Sequence, residues 1–225
     1  MRYTFILLLF LTSPSLLFSQ RNANVGIFLG TSYYMGDINP NKHFYRAAPS
    51  YGLIYRYNLN KHFGVRANGY FAHLSGDEAD FPRQYHPDTY TAPASFETSL
   101  LDAALQFEFN FFPFLVNEKK WDCTPYIAGG MGYSVIMSSK SSSGTGAAPH
   151  FTIPLGIGMK LNITRRLSSG IEWSFRKAFS DRVDGIENSI GIQALVHNND
   201  WYSFAGIFIT YKFFNFAVDC PAYSY

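Results

Sequence analysis

The stretch Ser99–Phe112, SLLDAALQFEFNFF, alternates without a break: Leu101, Ala103, Leu105, Phe107, Phe109 and Phe111 take one set of positions, and Asp102, Ala104, Gln106, Glu108 and Asn110 take the other. A period of two puts every apolar residue on one face of a strand, whereas an amphipathic helix would repeat them every three to four positions. A run of about ten residues is also the length a tilted strand needs to cross the hydrocarbon core of a bilayer.

Working outward, the same pattern recurs along the chain. Val25, Ile27, Leu29, Thr31 and Tyr33 oppose Gly26, Phe28, Gly30 and Ser32; Tyr51, Leu53, Tyr55 and Tyr57 oppose Gly52, Ile54, Arg56 and Asn58. Further strands are expected at Val65–Phe71, Tyr126–Val135, Phe151–Leu161, Gly170–Arg176 and Trp201 to about Phe214, the last with Phe204 and Phe208 blurring its polar face. The connections at 35–48, 75–94, 138–146 and 180–200 read as long loops. Asn58–Lys61 and Thr164–Arg165 read as tight turns, and a medium connection carries Lys119, Lys120, Trp121 and Cys123. Long and short connections that alternate around eight strands predict an all-β fold, an eight-stranded antiparallel transmembrane β-barrel with four longer extracellular loops and shorter periplasmic turns.

A soluble β-sandwich alternates too, with its apolar face inward. Three features favour the barrel: apolar faces on nearly every strand, Tyr and Trp near strand ends, and Gly, Ala and Ser on the opposite faces. Aromatics make up 18% of the chain against 15% charged residues, which fits a membrane wall better than a water-exposed surface.

Arg2 followed by the apolar runs Phe5–Leu11 and Leu16–Phe18, then Ser19, reads as a cleaved secretory signal. Thr12, Ser13, Pro14 and Ser15 interrupt it, which argues against a membrane anchor helix. The expected organisation is a signal at 1–19, a barrel at 20–216 and a periplasmic tail at 217–225. The expected location is the outer membrane, with both termini periplasmic and lipid as the immediate surrounding. A net charge of +2 and the lack of a basic run argue against nucleic acid as a partner.

The inward-reading faces carry Arg56, Arg66, Lys160, Arg176 and Lys212 alongside Asp102, Glu108 and Glu172, and all of these but Lys212 are assigned to one lumen set. Buried charges are costly unless paired, so this set is expected to be a lumen network that plugs a narrow barrel rather than a path for solutes. The histidines fall in loops and strand ends with no metal-ligand spacing, and Asp77, Glu78 and Asp80 read as a solvated acidic patch, so neither metal nor cofactor is expected. Ser174 with Glu172 has no matching histidine, and no catalytic residues are assigned; activity resting on His73, His86 or His197 would change that reading. Cys123 in the middle connection and Cys220 in the tail share an oxidising compartment, which leaves two alternatives open. They form an internal disulfide, or Cys220, in the terminal sequence CPAYSY with Pro221 and Tyr223, pairs with or docks on a partner.

Several segments in order carry a family resemblance: SYYMGD with Ser32, Tyr34, Gly36 and Asp37; PSYGLIYRYN from Pro49 to Asn58, with Arg66 after the turn; EFNFF with Glu108, Asn110 and Phe111; and IPLGIG with Pro154, Gly156 and Gly158. Glu172, Trp173 and Arg176, then Asp181 and Asp184, and finally Asn199–Tyr202 continue it. Together these resemble the Bacteroidetes outer-membrane barrels typified by PorG of the type IX secretion system, over essentially the whole mature chain. The resemblance implies a non-enzymatic barrel that anchors a periplasmic ring of proteins like the PorK lipoprotein and PorN. It also implies that docking runs through the periplasmic turns and the tail: Trp121, Cys123, Cys220, Pro221 and Tyr223. The alternative is an adhesin-like or small-solute barrel acting through its extracellular loops.

Overall fold

The computed structural model describes residues 23–36, 39, 42–80, 95–114, 123–141, 149–164, 166–179 and 201–213. The expected signal at 1–19 and tail at 217–225 lie outside these residues, as do Trp121, His86 and His197. Eight strands follow in order: β1 (Ala23–Met35), β2 (Ala48–Asn58), β3 (Phe63–Asp77), β4 (Ser95–Asn110), β5 (Cys123–Ser141), β6 (His150–Asn162), β7 (Leu167–Ala178) and β8 (Trp201–Lys212). Each pairs antiparallel with its neighbours, and β1 pairs with β8, so the sheet closes into a barrel with no free edge. The fold is the antiparallel eight-stranded barrel that the alternation predicts.

Side-chain polarity runs inside out. Leu53, Leu105, Phe107, Leu155, Ile157, Ile171 and Ile207 face outward and are about half exposed, while the buried set includes Arg56, Arg66, Asp102, Glu108 and Arg176. An apolar band around the outside is stable in lipid and not in water, and the alternating pattern of every strand is satisfied only in that setting.

Two of the three short connections are held by the same device. Asn60 Oδ1 accepts from the backbone N–H groups of His62 (2.8 Å) and Phe63 (2.7 Å), and Thr164 Oγ1 accepts from those of Arg166 (3.3 Å) and Leu167 (3.0 Å). A short polar side chain that caps its own turn backbone makes the reversal without glycine. We call this end of the barrel the turn end, and the opposite end the loop end.

The strands at the loop end are longer than the sequence pattern predicts. β2 begins at Ala48, β3 runs on to Asp77 before a single 3-10 turn at Glu78–Asp80, β4 begins at Ser95, and β5 continues to Ser141. The expected loops at 35–48, 75–94 and 138–146 are shortened accordingly. In β3 and β4 the outward side chains there, His73, Ser75 and Asp77 and Ser95, Glu97 and Ser99, are polar, so apolar alternation fades while the backbone ladder continues. A register shift lies in this region: Ser99 pairs with Ser138 and Leu100 with Ile136, leaving Met137 as an extra residue in β5.

Candidate functional site

The lumen is filled by two connected polar clusters. Nearer the turn end, Glu108 Oε2 accepts from Arg56 Nε (2.7 Å) and Lys160 Nζ (2.6 Å), and Lys160 also donates to Asn110 Oδ1 (2.8 Å). Arg66 Nη1 lies 3.2 Å from Glu108 Oε1, and the same guanidinium binds Glu172 and the Gln106 carbonyl. The Tyr126 hydroxyl donates to Glu172 Oε2 (2.5 Å). Toward the loop end, Asp102 accepts from Arg176 Nε (3.1 Å), the Tyr202 hydroxyl (2.7 Å) and Ser134 Oγ (2.9 Å).

All seven charged residues of the predicted lumen set are brought together, each buried to 3% exposure or less. β2, β3, β4, β6 and β7 each supply inward positions, and period two aims every second side chain at the same axis. Arg56, Arg66, Lys160 and Arg176 face Asp102, Glu108 and Glu172, so the set carries one more positive than negative charge.

The sequence reading missed the aromatic half of this interior. Phe28, Tyr70, Tyr126, Tyr202, Phe204 and Phe208 are buried inside the barrel. Their rings lie under the cations: Lys160 over Tyr126 at 4.3 Å, Arg56 over Phe208 at 5.1 Å and Arg176 over Phe204 at 5.3 Å. Space for the rings comes from glycines on neighbouring strands. A Cβ on Gly158 would sit 2.6 Å from Tyr126 Cε1, and one on Gly170 would strike the Phe208 ring. The signal was present as the Phe204 and Phe208 positions that blur the polar face of β8; their glycine partners come only from the register.

Ser174 and Glu172 also point inward, and Glu172 is held by Arg66 and Tyr126, so these two do not form a catalytic pair. Cys123 opens β5 at the turn end, half-buried on the outer face across from Leu161, and has no disulfide among the described residues. Cys220, Pro221 and Tyr223 lie outside the described residues. No group of three or more metal-ligating side chains occurs among the described residues.

The expected acidic patch has a different use. Arg46 Nη2 lies 3.2 Å from Asp77 and 3.0 Å from Asp80, and the Tyr45 hydroxyl donates to Asp80 Oδ2 (2.6 Å). Burial, reinforced by that hydrogen bond, pushes the Tyr45 hydroxyl up to about 12, while the Tyr45 hydrogen bond and Arg46 hold the Asp80 carboxyl below its ordinary range. These contacts pin a strap, residues 43–46, in which Phe44 and Arg46 adopt positive φ of 60° and 45°. The strap lies over outward-facing Tyr33 and Trp173, with the Phe44 ring 4.8 Å from Tyr33 and 6.2 Å from Trp173. Trp173 Nε1 donates to the Tyr33 hydroxyl (2.9 Å) and to Ser203 Oγ (3.1 Å), joining β7, β8 and β1 beneath it.

Among solved structures, the chain is similar to Neisserial surface protein A at 10% identity and a TM-score of 0.52, covering 85% of this chain and 97% of that one. It is also similar to the outer membrane protein OprG of Pseudomonas aeruginosa at 10% identity and a TM-score of 0.49, covering 86% and 98%. At such identity the likeness to the Neisserial protein speaks to the fold alone, an outer-membrane-type barrel. No curated protein matches the chain in sequence. The model of DUF6089, a domain of unknown function, matches residues 2–222, and the chain belongs to that family.

Proposed function

We propose that this protein is an outer-membrane barrel that anchors a periplasmic ring of a type IX-like secretion system, with the turn end as its periplasmic face. The observation that carries the reading is the filled lumen. Ion pairs and aromatic rings occupy the barrel axis, which supports a barrel that works through its ends rather than as a solute path.

The turn end suits a docking platform because its connections are tied to one another. Phe114 N–H donates to the Lys61 carbonyl (2.8 Å), Asn110 N–H to that of His62 (2.7 Å) and Lys212 N–H to that of Arg166 (2.8 Å). Phe114 is buried beneath this lacing. A rigid surface loses little entropy when a partner binds. The ordered segments resembling PorG-type barrels supply the class of partner, proteins like the PorK lipoprotein and PorN, with Trp121, Cys123, Cys220, Pro221 and Tyr223 as contacts.

Affinity purification of the tagged protein from native membranes, with and without reductant, tests the reading. Periplasmic ring proteins should co-purify, and a C123S variant should distinguish a covalent from a non-covalent contribution. Recovery without any ring protein refutes the role. Co-purification that survives deletion of residues 217–225 assigns docking to the turns instead of the tail.

A further inference from the structure

Outside the lumen, one cluster of reactive side chains has no part in anchoring. On the outer wall near the loop end, His73 of β3 is the direct cross-strand partner of Ser99 of β4, and Glu97 lies two residues along on the same face of β4. His73 Nδ1 is 2.9 Å from Ser99 Oγ, and His73 Nε2 is 3.1 Å from Glu97 Oε1. With the proton on Nε2, His73 donates to Glu97 and accepts from the Ser99 hydroxyl. That is the order of a nucleophile, a base and an orienting carboxylate.

The position fits a lipid substrate. The row next toward the turn end is Phe71, Leu101 and Val135, the last apolar row of the wall at this point, with Tyr51 stacked on Phe71. The trio therefore stands one row beyond the apolar wall, the level at which a bilayer around that wall would join acyl chains to headgroups. On its other side Ser99 faces Ser138, and Glu97 faces Lys140, whose Nζ is 4.0 Å from Glu97 Oε2. The bulge at Met137 interrupts the ladder beside Ser99 and lifts Met137 and Ser138 onto the exposed surface.

We propose that Ser99, His73 and Glu97 form an ester-hydrolysing site for the acyl esters of bilayer lipids. Ser99 Oγ attacks the ester carbonyl carbon while His73 Nδ1 takes the hydroxyl proton; His73 returns that proton to the departing lipid alcohol as the C–O bond breaks. Water, activated by the same nitrogen, then cleaves the acyl-Ser99 ester, releases a fatty acid and restores the serine. Glu97 is a positioning residue that fixes the ring and offsets its positive charge. Ser138, cross-strand from Ser99, and Lys140, cross-strand from Glu97, are the donors assigned to the carbonyl oxygen as it gains charge. Phe71, Leu101 and Val135 are the wall along which the acyl chain lies.

The test uses the full-length protein folded into palmitoyl-oleoyl phosphatidylethanolamine vesicles, with and without added lipopolysaccharide. The readouts are free fatty acid and lysolipid by mass spectrometry and labelling by a fluorophosphonate probe; heat-dependent electrophoretic mobility confirms folding of every variant. Fatty acid release and labelling at Ser99 are expected. Release from phospholipid alone assigns glycerophospholipid esters, and release only with lipopolysaccharide assigns its ester-linked chains.

S99A should abolish both signals, and H73N should slow release by on the order of 10²- to 10⁴-fold. E97Q should lower kcat with KM for vesicle lipid unchanged, and E97D should restore much of it, which a merely structural role for Glu97 would not produce. A folded wild type that neither labels nor releases fatty acid overturns the proposal, as does release that persists in S99A or labelling at a different serine. The outcome is separable from ring anchoring, which is read at the opposite end of the barrel by co-purification.

Discussion

Replacing Glu108 with Gln should be among the most damaging single changes in the barrel. Its carboxylate meets Arg56 at 2.7 Å, Lys160 at 2.6 Å and Arg66 at 3.2 Å, with every partner's side chain 2% exposed or less. At an effective dielectric near 20, each close contact amounts to about 6 kcal/mol of Coulomb attraction, most of which offsets the cost of removing the charges from water. Glutamine keeps the shape and removes that attraction, so Arg56 and Lys160 lose their carboxylate partner and only Arg66 keeps one, Glu172. Breaking one partner out of a buried ionic set costs about 3–5 kcal/mol. Equilibrium unfolding by guanidinium in phosphatidylcholine vesicles, followed by tryptophan fluorescence, measures it. Adding K160M to E108Q should return part of the loss, because it removes a cation that the first change stranded, and the double-mutant cycle should give a coupling of about 1–3 kcal/mol. If E108Q unfolds within about 1 kcal/mol of wild type, the lumen charges are solvated independently and the account of the network is wrong.

Gly158→Ala places a methyl against the Tyr126 ring and should cost about 1–3 kcal/mol by the same unfolding assay. Leu105→Arg, half exposed on the outer wall, should cost about 2–4 kcal/mol in vesicles if that face meets lipid, and a far smaller loss would place it elsewhere. Planar bilayers containing the folded protein should show no discrete conductance steps, because side chains fill the axis; regular openings would contradict the packing. The strap at 43–46 has a pH window set by its two shifted partners. Asp80 is held below its ordinary range, so its contribution is present above that range and lost as pH falls through it. Tyr45 is raised from 10.0 to about 12, so its contribution is present below 10.0 and lost as pH rises toward 12. Limited proteolysis in the strap should therefore be slow from mildly acidic pH to about 10 and speed up at both extremes.

What the sequence made legible follows from where its pattern has one physical cause. Outward residues of β4 and β6 alternate because a single environment, lipid, acts on every second position, and period two can be read from one strand alone. The charges at Arg56, Arg66, Asp102, Glu108, Lys160, Glu172 and Arg176 were legible for the same reason: they occupy the other parity. Two things were not. Strand ends at the loop end carry polar residues on the outward face, as at His73, Ser75 and Glu97, so the hydrogen-bond ladder outlasts the hydrophobic pattern that announces it. Features that need two strands at once were hidden as well. Phe208 fits only because Gly170 stands beside it in β7, and His73 meets Ser99 only through the register of β3 against β4. Each strand declares its own faces, but the site chemistry on this barrel is a property of rows that run around it. A row needs the register of three or four strands, and a single bulge such as the one at Met137 changes which side chains share it. The search for activity in such barrels therefore belongs along hydrogen-bonded rows at the edge of the apolar band, where polar side chains leave the lumen rule and face the bilayer surface.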